Sequence, residues 1–149
     1  MKIKAIIIIL FLFAVLNQMF CITDNKDYNE KEIKKVVQTA YIGGVFNDAT
    51  TDAMIEGFHK RFTMQFIQDD SLVVTTLQQW KSSLDKWKEK RKNWKNVEGE
   101  INILAIENET AIVRVDVYQE NKVLYTDFLS LYHFSTGWEI TNKIYTVRN

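Results

Sequence analysis

An α+β domain is what this sequence predicts, with helices early in the chain and an antiparallel meander at its end. Three observations carry that prediction. Apolar residues recur at helical spacing near the start and again around Trp80. The last third is rich in Val, Ile, Thr, Tyr and Phe, broken at short intervals by turn-forming residues. Aromatic residues make up 13% of the chain and its 19 basic and 19 acidic residues balance, which excludes a disordered polymer.

Residues 1–21 are expected to be an export signal rather than part of the fold. Lys2 and Lys4 precede an unbroken apolar stretch from Ala5 to Leu16. That stretch is too short to span a bilayer, which takes about 20 residues. Cys21 invites a lipid anchor, but Gln18, Met19 and Phe20 are too large for the small residues such a site prefers, so simple export to the periplasm or medium is favoured. The domain is then 22–149, a size suited to one core. Losing two of the 19 basic residues leaves 17 against 19 acidic ones, and a net charge of −2 argues against nucleic acid as a partner. No cysteine follows Cys21, so neither a disulfide nor thiol chemistry is expected.

In the first helix Ile33, Val36, Val37, Ala40, Tyr41 and Gly44 share a face, and Gly43-Gly44 suggests an exit or a close approach. Asp48, Thr50 and Thr51 are candidate N-caps for a short second helix that turns Met54 and Phe58 inward. Two short strands flank Asp69-Asp70-Ser71. Thr75 or Thr76 caps a third helix whose stripe is Leu77, Trp80, Leu84 and Trp87. Basic residues from Lys88 to Lys95 crowd its end, where the helix dipole favours cations, and Trp94 lies beyond it. Four strands follow, with breaks at Asn108-Glu109, Glu120-Asn121 and Ser135-Thr136-Gly137.

A two-residue turn at Glu120-Asn121 and strict alternation place Val113, Val115, Val117, Phe128, Tyr132 and Ile144 on the face that the helices cover. The opposite face then carries Arg114, Tyr125, Asp127, Lys143 and Tyr145, with Arg114 directly across from Asp127 and Lys143 diagonal to it. This set reads as a charge network at an interface, since paired charges leave neither partner poised for chemistry. Tyr118, Tyr125 and Tyr145 suit either a flat aromatic ligand or a subunit contact. No phosphate-binding glycine loop, serine elbow or clustered metal ligand is present, so no cofactor and no metal are expected.

The stretches IKKVVQTAYIGG, DAMIEGFH and YTDFLSLYHFSTGWEITNKIY, in that order, resemble the exported proteins called putative lumazine-binding proteins, of the nuclear-transport-factor-like superfamily. The last is the most specific, with Tyr125, Asp127, Leu129 and Leu131 alternating before Gly137-Trp138 and Asn142-Lys143. The resemblance implies a cone-shaped α+β fold: three N-terminal helices packed on a curved antiparallel sheet. It also implies a ligand site at the cone's mouth near Tyr41, Phe62, Trp80, Trp87 and Trp138. His59, in the Phe-His pair that the family shares, becomes the candidate general base. The expected role is non-catalytic binding of a small, aromatic ligand by a homodimer. The alternatives are an isomerase or dehydratase using His59, and a dimeric interaction module. A shared fold alone does not choose among them.

Overall fold

The computed structural model describes residues 26–47, 52–86 and 96–148. The expected export signal with Cys21, the caps Asp48, Thr50 and Thr51, and Trp87, Trp94 and the basic run Lys88 to Lys95 lie outside them. By its contacts the chain divides into Met1–Glu32 and Ile33–Asn149. In the first unit, residues 26–32 are helical. No helix among the described residues is long and apolar enough to cross a membrane.

In the second unit, residues 33–36 are α-helical and lead into α1, a π-helix over Val37–Asn47. Ile33, Val37, Ala40, Tyr41 and Gly44 are buried as their spacing predicts. The wider π turn also buries Ile42, Val45 and Phe46. Helix α2 is Asp52–Gly57. It packs close to α1: a Cβ on Gly44 would stand 3.1 Å from the Met54 amide, and one on Gly57 would stand 2.2 Å from Ala40 Cβ. Neither contact can yield without moving a helix. Gly57→Ala is therefore expected to lower stability by about 1–3 kcal/mol, the usual cost of overpacking, read as a shifted urea midpoint. An unchanged midpoint would mean that the helices separate freely.

Strand β1 (Phe58–Gln68) begins directly after Gly57, so His59 lies on a strand rather than at a helix end. The β1–β2 hairpin turns at Asp69-Asp70, both with positive φ, into β2 (Ser71–Thr76). Thr76 caps α3 (Leu77–Lys86) reciprocally. Its Oγ1 accepts from the Gln79 amide at 3.3 Å, while Gln79 Oε1 accepts from the Thr76 amide at 2.9 Å. Trp80 and Leu84 are the buried stripe of α3.

Strands β3 (Glu98–Glu107), β4 (Thr110–Gln119), β5 (Lys122–Phe134) and β6 (Gly137–Val147) form the expected meander, with turns at the expected breaks. The sheet order is β2-β1-β6-β5-β4-β3. The sheet is mixed rather than wholly antiparallel, because β1 pairs parallel with β6. A parallel pair needs a long crossover, and here everything between the two strands supplies it. Asn142 Nδ2 donates to Thr63 O at 3.1 Å and to Thr63 Oγ1 at 3.0 Å, tying this junction. At the end of α1, Asn47 Nδ2 donates to Val97 O at 2.7 Å and its Oδ1 accepts from the Val97 amide at 2.9 Å, so one side chain extends the β3 ladder.

Two bulges alter the register expected for β4, β5 and β6. Gln119 does face Lys122, but Leu124 is an extra residue, so Val117 faces Tyr125 and Arg114 faces Phe128 instead of Asp127. The Leu124 carbonyl accepts from the Arg148 amide at 2.9 Å. Phe134 faces Gly137 rather than Trp138, and Thr141 is the second extra residue. Each insertion turns the side chains beyond it to the other face. The covered face therefore holds Val113, Val115, Val117, Asp127, Leu129, Leu131, Trp138, Ile140 and Lys143, while Phe128, Tyr132 and Ile144 are exposed.

Candidate functional site

Asp127 and Lys143 are buried together beneath α1 and α3, which corrects their expected place on the outer face. The Asp127 side chain is 0% exposed and that of Lys143 5%. They occupy diagonal positions on β5 and β6, with Asp127 opposite Tyr145 and Leu129 opposite Lys143. Arg114 is not part of this pair. It lies on the other face and binds Asp116 at 2.8 Å. Burial by itself raises the Asp116 carboxyl, but hydrogen bonds from Thr126 and Arg114 outweigh it and hold the group below its usual range.

Tyr41 of α1 completes a closed triad. Its hydroxyl donates to Asp127 Oδ2 at 2.6 Å and accepts from Lys143 Nζ at 2.6 Å. Asp127 Oδ1 stands 2.9 Å from the same Nζ. The phenol thus bridges the ion pair, using both faces of its hydroxyl. Burial, then the charge of Asp127, pushes the Tyr41 hydroxyl well above the ordinary tyrosine range. Burial lowers the Lys143 amine, and Asp127 opposes that shift.

Aromatic faces surround the ammonium. Nζ lies 4.6 Å from the Tyr145 ring centre, 4.9 Å from Tyr41, 5.4 Å from Trp80 and 6.0 Å from Tyr125. The negative faces of these rings partly replace the water that Lys143 gave up. Burial also raises the Tyr125 and Tyr145 hydroxyls above the ordinary tyrosine range.

Beside the triad lies a cavity of about 130 Å³. Val45, Phe46, Met64 and Leu84 form its aliphatic and phenyl walls, and Trp80, Tyr125 and Tyr145 its aromatic ones. Among the described residues, Lys143 is the only charged one lining it. A partly open, mainly apolar cleft with one polar pole is the usual form of a small-molecule site.

Of the residues expected at the ligand site, Trp80 lines this cavity. Tyr41 stands behind it through Lys143. Phe62 is buried behind Trp80, stacked on it at 5.5 Å. Trp138 is buried elsewhere on the sheet, with its ring edge-on to His133 at 5.2 Å. Tyr125 and Tyr145, expected either around a flat aromatic ligand or at an interface, are cavity walls. Val45, Phe46, Met64 and Leu84 were not singled out as site residues in the sequence; Leu84 belongs to the α3 stripe, and the apolar pair after Gly44 was the available signal for two others.

His59 is not at this site. Its ring stacks on Phe134, with centres 4.9 Å apart and planes 7° apart, and its Nδ1 accepts from the Arg61 amide at 3.2 Å. It borders a separate open cleft of about 470 Å³ with Lys60, Lys81 and Glu139, which among the described residues shares none with the Lys143 cavity. Among the described residues no group of three or more metal-ligating side chains converges.

The triad makes a pH prediction. A raised tyrosine pKa means that the folded chain keeps a proton which the unfolded chain releases near pH 10.0. Stability then falls as pH rises above that value, because unfolding releases the proton. In Tyr41→Phe this contribution is absent, so its alkaline loss of stability is expected to be shallower than that of the wild type in denaturation measured between about pH 9 and 11. Equal slopes would contradict the buried, proton-retaining phenol.

A family described as putative lumazine-binding matches residues 28–146. The comparison with curated proteins gave no match. Among solved structures, an NTF-2 like protein of unknown function from Silicibacter pomeroyi superposes with a TM-score of 0.68 at 14% identity, over 83% of this chain and 98% of that one. An NTF2-like protein of unknown function from Shewanella baltica gives 0.65 at 21% identity, over 83% and 95%. An uncharacterized protein with a cystatin-like fold from Caulobacter vibrioides gives 0.56 at 12% identity, over 82% and 91%. At these identities the likeness is one of fold.

Proposed function

The chain belongs to the putative lumazine-binding family, with an NTF2-like, cystatin-like α+β fold, and from that premise we propose that it is an exported domain that holds a small aromatic ligand in the Lys143 cavity without transforming it. The observation that carries this reading is the closed Tyr41–Lys143–Asp127 triad. Its charges compensate each other, and its phenol already spends both donor and acceptor inside the triad. Such a set orients a ligand better than it moves protons. The isomerase reading has less support, because the ring of His59 is stacked and its Nδ1 is engaged by a backbone amide. Export rests on the N-terminal apolar stretch, without lipidation at Cys21.

Calorimetric titration with small aromatic compounds tests the reading. Saturable binding is expected, unchanged in His59→Ala and abolished when Leu84→Trp fills the cavity. Turnover of a carbonyl substrate that disappears in His59→Ala would overturn it.

The outer sheet face favours a second element of the reading, a homodimer. Ile112, Phe128, Tyr132 and Ile144 are exposed there, and exposed apolar residues in such numbers on one face suit a second copy. Sedimentation is expected to show a dimer at micromolar concentration, and Phe128→Arg to give a folded monomer. A wild-type chain that sediments as a monomer excludes it.

A further inference from the structure

We propose that the Lys143 cavity selects a neutral, single-ring aromatic or heteroaromatic compound carrying one hydrogen-bond acceptor at its edge, a carbonyl oxygen or ring nitrogen, which takes an N–H of Lys143. The proposal rests on the ligand-binding reading above and names what that site accepts.

Donor count supplies the acceptor. An ammonium has three N–H groups. Lys143 gives one to Tyr41 and faces Asp127 Oδ1 with its charge. At least one donor is left without an oxygen partner among the described residues, on a side chain that lines the cavity. A ligand lone pair satisfies it, and a ligand lacking one leaves it unmet, which is where polar sites discriminate most strongly.

Charge balance supplies neutrality. Asp127 already compensates Lys143, and the two side chains are almost wholly buried. An anionic ligand brings a second negative charge against Asp127. A cationic one meets Lys143 directly. Either is an uncompensated buried charge, and burial of such a charge is opposed by desolvation.

Volume and walls supply the ring. About 130 Å³ is close to the roughly 150 Å³ apolar cavity that accepts benzene. A fused two-ring compound of the lumazine type would extend past these walls into the cavity's open side. Trp80, Tyr125 and Tyr145 give the ring aromatic partners on more than one side.

The test titrates the full chain at pH 7 with 2-pyridone, toluene, benzoate, benzylammonium and lumazine by calorimetry. The expected result is binding of 2-pyridone roughly tenfold or more tighter than that of toluene, benzoate and benzylammonium, the ratio one hydrogen bond to a charged donor supplies. In the double variant Lys143→Met/Asp127→Leu, which leaves no lone buried charge, that preference over toluene is expected to vanish while toluene binding remains. Toluene binding as tightly as 2-pyridone, benzoate or benzylammonium binding more tightly than it, or the preference surviving in the double variant overturns the proposal and leaves the binding reading standing. Lumazine binding more tightly than 2-pyridone overturns the single-ring limit. Binding of none of the five overturns both.

Discussion

Asp127→Leu is expected to lower the stability of the folded chain by about 3–5 kcal/mol, the cost of leaving one member of a buried ion pair without its partner. Lys143 would remain in the interior, 5% exposed, with only a phenol oxygen and aromatic faces to receive its charge. Adding Lys143→Met to that change is expected to restore part of the loss: two apolar side chains of similar volume replace a pair whose attraction largely offset its own desolvation, while the buried Tyr41 hydroxyl, left with neither partner, retains about 1–3 kcal/mol of the cost. The two variants together separate attraction from burial. Urea denaturation followed by far-ultraviolet circular dichroism reads both. A single variant with the wild-type midpoint would show that water reaches Lys143 and that the triad is not buried in solution.

Trp80→Ala carries the second large effect, also about 3–5 kcal/mol, as is usual when a buried aromatic is truncated to alanine. Trp80 is 8% exposed. It stacks on Phe62 and meets Phe58 edge-on at 5.7 Å, so its removal leaves a gap bounded by rigid rings that cannot collapse to fill it. It also removes one wall of the cavity and one ring over Lys143. Binding is therefore expected to weaken along with stability, whereas Trp80→Phe should lose less of each. A Trp80→Ala chain that unfolds at the wild-type urea concentration would remove this helix from the core.

The order of elements was legible in the sequence because it depends on local signals: the helical stripes, the Asp69-Asp70 and Glu120-Asn121 turns, and Thr76 before Leu77. The Asp127–Lys143 diagonal agrees with the expectation only because two departures cancel: the hairpin pairs Phe134 with Gly137, and the extra Thr141 restores the register beyond it. The burial of this pair was not legible. A single extra residue, Leu124, reverses which face of β5 meets the helices, and nothing in its side chain announces a bulge. The parallel junction of β1 with β6 was hidden for a different reason. It joins residues far apart in the chain, and no alternation pattern records which distant strand a sheet edge will meet. His59 shows the converse: its residue type suggested chemistry, while its strand position placed it against Phe134.

That parallel junction also bears on how the chain reaches its fold. Thr63 and Asn142 are 79 residues apart, and Tyr41 and Lys143 are 102 apart. Contacts of such separation close large loops before they return any stabilisation, so topologies rich in them fold slowly. The early hairpin β1–β2 and the meander β3–β5 can each form from neighbouring residues, but neither joins the other until β6 lies between them. The triad shares that timing: Tyr41, Asp127 and Lys143 meet only when the last strand docks. The cavity thus closes only when β6 docks, and a chain ending before β6 would lack both Lys143 and Tyr145 and would hold Met64 and Tyr125 on two unconnected sheets.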